Sequence, residues 1–99
     1  MASIAAMALL RANVGYPDAS SVPSGLETVL ANDLDTAQAR LLRSGISIDE
    51  SKAEDLNLLV MYAAWLFNKR KTGEGMPLML SREIHNRQTA LATGGGGSA

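Results

Sequence analysis

The chain has no cysteine. That excludes a disulfide framework and any thiolate metal site. It has one histidine, His85, with only Glu83 as a near carboxylate. A metal centre needs several converging ligands, so neither a metal nor another cofactor is expected. Aromatic residues are scarce: Trp65, Tyr16, Tyr62 and Phe67. An excess of charge of one sign is also missing, with nine Lys and Arg against ten Asp and Glu. A protein whose main task is gripping phosphate backbones carries a clear positive excess. Nor is there an apolar run of the ~20 residues that a bilayer span takes. Met1–Leu10 is apolar, but it has no basic n-region and is interrupted by Arg11. It reads as a short helix rather than a signal peptide, and no membrane role is expected.

What is present is apolar side chain: 46% of the residues are hydrophobic, too many for a disordered chain. Ninety-nine residues make one domain at most. Residues 94–99, Gly-Gly-Gly-Gly-Ser-Ala, read as a flexible tail or linker, leaving residues 1–93 as a single helical domain. A unit of that size buries only about two thirds of its unfolded surface, so its spare stability is small.

The spacing of apolar residues predicts an all-α fold: a small bundle of about four helices around a long apolar central helix. The first helix runs from about Ser3 to Asn13, with Ile4, Met7, Ala8 and Leu10 on its apolar side, and Gly15-Tyr16-Pro17 ends it. The second opens at Ser24-Gly-Leu-Glu27, which has capping-box spacing. It continues through Leu26, Leu30, Leu34, Ala37 and Leu41, with Glu27, Asp33, Asp35, Gln38 and Arg40 filling much of the remainder. Ser44-Gly45 closes it. The third begins between residues 48 and 52. Asp49, Glu50, Glu54 and Asp55 lie at its start and Lys69, Arg70 and Lys71 at its end, which suits the helix dipole. Gly73-Glu-Gly75 breaks the chain, and Pro77 suits the first turn of a fourth helix. There Leu80, Ile84 and Leu91 space one side, and Arg82, His85, Arg87 and Gln88 are assigned to the other.

The third helix carries the richest stretch, Leu56 to Phe67. Leu56, Leu59, Val60, Ala63 and Phe67 share one side; Leu58, Met61, Tyr62 and Trp65 share the opposite one. The first side is expected to meet the second helix. The second side is either covered by the first and fourth helices or left for a subunit interface, and residue types alone do not separate these readings. Leu56, Leu58, Val60, Met61, Tyr62, Trp65 and Phe67 are the expected core or interface residues. Trp65→Ala is expected to harm folding or assembly more than any change of charge.

No constellation points to catalysis. The acidic cluster is explained by a helix start, and Gly73-Glu-Gly75 lacks the strand and the Lys-Ser/Thr of a phosphate-cradling loop. The chain is not expected to be an enzyme. Lys69, Arg70 and Lys71, with Arg82 and Arg87, form the one basic concentration. They are either a solvated face or a contact for DNA or an acidic partner. A helix, a Gly-containing turn and a further helix bearing basic residues also have the outline of a helix-turn-helix, which makes a small nucleic-acid-binding regulator or packaging subunit the alternative reading.

One segment goes beyond generic helix. Asp55 to Lys71, with its Met61-Tyr-Ala63 core and basic end, then Gly75-Met-Pro-Leu-Met-Leu80, then Asn86-Arg87, resembles the head–tail connector (adaptor) proteins of tailed phages. The likeness covers roughly residues 24 to 88. It implies a small α-helical, non-catalytic structural protein of the virion neck, assembled in the host cytoplasm. Its implied partners are copies of itself in a ring of about twelve, the portal protein above, and a stopper or tail-completion protein below. DNA would pass through the channel without sequence-specific binding. In relatives the C-terminal segment often docks on the portal; here that segment is Thr89 to Ala99 and ends in glycines.

Overall fold

A computed structural model of the chain describes residues 3–16, 18 and 22–97, with side chains apart from those of Lys71 and residues 91–97. Four helices account for most of it: α1 (Ile4–Asn13), α2 (Leu26–Arg43), α3 (Ala53–Thr72) and α4 (Leu78–Gly97). Among the described residues there is no strand. The fold is all-α, as the apolar spacing predicts.

Helix ends follow local chemistry. Ser3 caps α1, its Oγ accepting the Ala6 N–H at 3.0 Å. Its hydroxyl also donates to the Glu50 carboxylate, tying this end to the loop before α3. α2 ends in a Schellman arrangement: the Gly45 N–H reaches the Leu42 carbonyl at 2.9 Å and the Ile46 N–H reaches Leu41 at 2.8 Å. Gly45 holds φ at +92°, where a Cβ is strained. Gly73 closes α3 at φ +70°, its N–H on the Lys69 carbonyl at 2.7 Å.

Two starts differ from expectation. The cap of α2 is Gly25, at φ +86°, and no side chain caps it. The turn from Pro23 to Leu26 sets the helix one residue later than Ser24, so the Ser24–Glu27 box does not form. Glu27 instead faces Arg11 of α1 at 3.7 Å. α3 starts at Ala53, just after the expected window, with Lys52 in extended conformation before it. Asp49 and Asp55 organise this approach: Asp49 Oδ1 accepts the Ser51 N–H at 3.0 Å, and Asp55 Oδ2 accepts the Asp49 N–H at 2.9 Å. At the other end of the chain, α4 continues through Gly97, into the stretch read as a tail.

α3 is the centre, with α1, α2 and α4 all packed against it. The core joins Ala6 and Leu10 of α1, Leu30, Leu34, Ala37 and Leu41 of α2, Ile46 of the loop, both sides of α3, and Leu80 of α4. The α2 stripe is as expected. The α1 face is not: Ile4 and Ala8 are exposed, and α1 packs inward on Ala6 and Leu10 with Met7 and Val14 partly covered.

Of the two readings for the second side of α3, cover by the protein's own chain accounts for most of it. Leu58 and Tyr62, on the side without an assigned neighbour, are 1% and 8% exposed, while Met61 and Trp65 are half-buried. Of the opposite side, Leu59, Val60, Ala63 and Phe67 are buried and Leu56 is half-buried. A helix with three helical neighbours needs apolar residues on nearly every side, so its own chain explains the composition. The exposed apolar side chains lie elsewhere: Ile4 and Leu9 on α1, Val29 and Leu42 on α2, Leu78 and Met79 at the start of α4.

Candidate functional site

Some of the described basic residues are held by acidic side chains and others are not. Arg70 is held. Its Nη1 donates to Asp33 Oδ2 at 2.8 Å and its Nη2 donates to Asp33 Oδ1, a two-pronged pair across α2 and α3. Asp33, assigned from sequence to the polar remainder of α2, is 1% exposed. Its position was legible: it lies three residues after Leu30 and four before Ala37, on the apolar stripe. The hydrogen bonds from Asp33 push the Arg70 guanidinium further above its ordinary range.

Arg87 is held as well. It sits on α4 seven residues after Leu80 and three after Ile84, so it shares their inward side rather than the opposite one. Its Nη1 donates to Asp55 Oδ1 at 2.6 Å and its Nε to Glu83 Oε2 at 3.0 Å. Burial pushes the Asp55 carboxyl up, but the Asp49 N–H and the Arg87 guanidinium outweigh it and leave Asp55 below the usual carboxylate range. Asp49 is lowered too, by the hydroxyl and N–H of Ser51. The acidic cluster therefore splits. Asp55 is a buried structural acceptor, whereas Asp49 turns back on Ser51.

Lys69 lies with its Nζ 4.6 Å from the centre of the Trp65 ring. Trp65 meets Tyr62 edge to face, centroids 5.5 Å apart, and its Nε1 donates to the Glu74 carbonyl at 3.3 Å. Arg82 and His85 are exposed on α4. The side chain of Lys71 lies outside the described residues. Of the described basic candidates, Arg70 and Arg87 are thus committed to carboxylates within the fold, while Lys69 lies over Trp65 and Arg82 is exposed on α4.

Sequence reasoning passed over two further cations. Arg40 and Arg43, one turn apart at the end of α2, line a cleft of about 300 Å³ with Ser44 and with Tyr62 of α3. Neither guanidinium has an acidic partner among the described residues. The signal was the i, i+3 spacing of two arginines beside a helix C-cap, but only the packing of α2 on α3 brings the tyrosine between them and Trp65. On another side, Met79 of α4 borders a groove whose α3 wall includes Leu58 and Met61.

Among the described residues, no three His, Cys, Asp or Glu side chains gather to ligate a metal. No described helix is long and apolar enough to cross a membrane. No protein-family model matches the chain, and searches of curated proteins and of solved structures find no match to it.

Proposed function

We propose that the protein is a structural head–tail connector (adaptor) of a tailed phage or prophage, whose copies form a ring of about twelve beneath the portal. One observation carries this reading beyond the likeness of motifs. Within Met76-Pro-Leu-Met-Leu80, the segment that bears much of that likeness, Met76 and Leu80 turn inward to the core. Leu78 and Met79 between them are 66% and 76% exposed. The motif thus anchors at both ends and presents two large apolar side chains, fixed at a helix start, to the outside. A further large apolar side chain, Ile4 of α1, is 89% exposed.

Large apolar side chains exposed on two different helices of one chain suit head-to-tail association, which closes into a ring when the rotation permits. Assembly adds burial that a domain of this size lacks. The role is structural and requires no catalytic step. In the proposed particle, a stopper or tail-completion protein sits on the far side of the ring from the portal, and DNA runs through the channel.

The test is reconstitution with the portal protein, read by native mass spectrometry and negative-stain microscopy. The expected result is a ring seated on the portal, lost in a Leu78→Asp, Met79→Asp double variant that keeps its helical circular dichroism. Strictly monomeric behaviour at high concentration together with no portal binding would overturn the proposal.

A further inference from the structure

We infer that the cleft of Arg40, Arg43, Ser44 and Tyr62 binds phosphate groups of a nucleic-acid backbone, without reading sequence. Most other arginines are committed: Arg70 to Asp33, Arg87 to Asp55 and Glu83, Arg11 to Glu27. Those pairs take up four of the ten acidic residues and leave Arg40 and Arg43 as cations with no carboxylate partner among the described residues. Both are exposed. A net charge of −1 therefore hides a local positive surface, and local charge is what a phosphate meets within a Debye length of ~10 Å.

The chemistry of the cleft favours phosphate. Two guanidiniums one helical turn apart provide planar forks of N–H donors, the geometry that grips phosphate oxygens. The Gln88 side-chain amide donates to the Ser44 carbonyl at 3.2 Å and braces α4 against the end of α2 beside the cleft. Further cationic character lies along α3: Tyr62 meets Trp65 edge to face, and the Lys69 ammonium sits over the Trp65 ring. Seven residues of helix separate Tyr62 from Lys69, about 10 Å of rise. A lone phosphate would need only the arginine end. Tyr62 is nearly buried and the Trp65 face is already covered by Lys69, so base stacking has no free platform and contact is to the backbone.

This site does not depend on the connector reading, because the isolated full-length chain suffices to measure it. Fluorescence anisotropy with a labelled 20-base-pair duplex of arbitrary sequence reads binding from 50 to 300 mM salt. The wild type is expected to bind at low salt and to weaken linearly on a log–log plot. Arg40→Gln with Arg43→Gln is expected to lower the slope by about 2, and Lys69→Gln by about 1 more, near 0.9 for each phosphate contact. Arg82→Gln, an exposed cation on another helix, is expected to change affinity less than twofold. Circular dichroism of the arginine variants is expected to match the wild type, since both side chains are exposed.

No binding at 50 mM salt, or an unchanged slope in the double variant, overturns the proposal. Displacement of the duplex by polyglutamate at equal charge overturns the choice of phosphate in favour of an acidic protein surface. Full displacement by 10 mM inorganic phosphate at constant ionic strength overturns the extended-backbone reading in favour of a single-anion site.

Discussion

Arg70, in the last turns of α3, grips the buried carboxylate of Asp33 in the middle of α2 with both of its terminal nitrogens. The carboxylate is 1% exposed, while the arginine side chain is 48% exposed. The pair is therefore lopsided: its anion is buried while its cation is partly solvated. Breaking such a pair costs more than making it contributes, because the surviving buried charge is left without a partner.

Arg70→Gln is expected to destabilise the fold by about 2 kcal/mol, below the range for fully buried pairs because solvent reaches the arginine. Asp33→Asn added to it is expected to restore part of the loss, since no bare charge is then buried. Urea denaturation of the single and double variants measures both. Equal loss in the two would show that the carboxylate charge is not the cause.

Leu58→Ala is expected to cost about 3 kcal/mol, more than Trp65→Ala, in the same urea series. Leu58 is 1% exposed, whereas Trp65 is only half-buried and its contacts are an edge-to-face ring, a cation and one hydrogen bond. Sequence alone ranks Trp65→Ala only above changes of charge; burial places Leu58 above it. A larger loss at Trp65 would overturn that order.

Acid is expected to weaken the fold through Asp55. Its folded-state pKa lies below the ordinary 3.8. A depressed pKa means stability that is present above the unfolded value and is lost as pH falls through the folded one. The urea midpoint should therefore drop as pH falls below about 4. Asp55→Asn is expected to be less stable at neutral pH and to show a shallower fall. A variant as steep as wild type would assign the acid sensitivity to other carboxylates.

Gly45→Ala is expected to lower stability by about 1–2 kcal/mol, although open space surrounds the site of the new Cβ. The cost comes from φ of +92° and not from crowding. Differential scanning calorimetry reads it as a fall in Tm. An unchanged Tm would mean that the Schellman turn relaxes without loss.

Much of this protein could be read directly from the order of its residues. The four helices, the stripe Leu30–Leu34–Ala37–Leu41 and the glycine stops at Gly15, Gly45 and Gly73 follow from local rules: 3.6-residue periodicity and the need for a left-handed conformation at a helix end. Read from sequence, Asp33 and Arg87 fall on polar sides, yet both sit at apolar register positions of their helices, and a charged side chain there goes where its neighbours go. What that register could not say is which residues would answer them. Arg70 meets Asp33 across 37 residues, and Arg87 meets Asp55 across 32. Those distances close only when α2 and α4 have both settled on α3.

The same is true of the surface. Whether the second side of α3 met solvent, a neighbour or its own chain turned on where α1, α2 and α4 settle against it, which no local pattern specifies. Tertiary packing covered Leu58 and Tyr62, left Leu78 and Met79 outside, and brought Arg40 and Arg43 beside Tyr62. Burial is a property of the assembled chain: local sequence sets which faces are apolar, and only the final arrangement of helices decides which of those faces find cover.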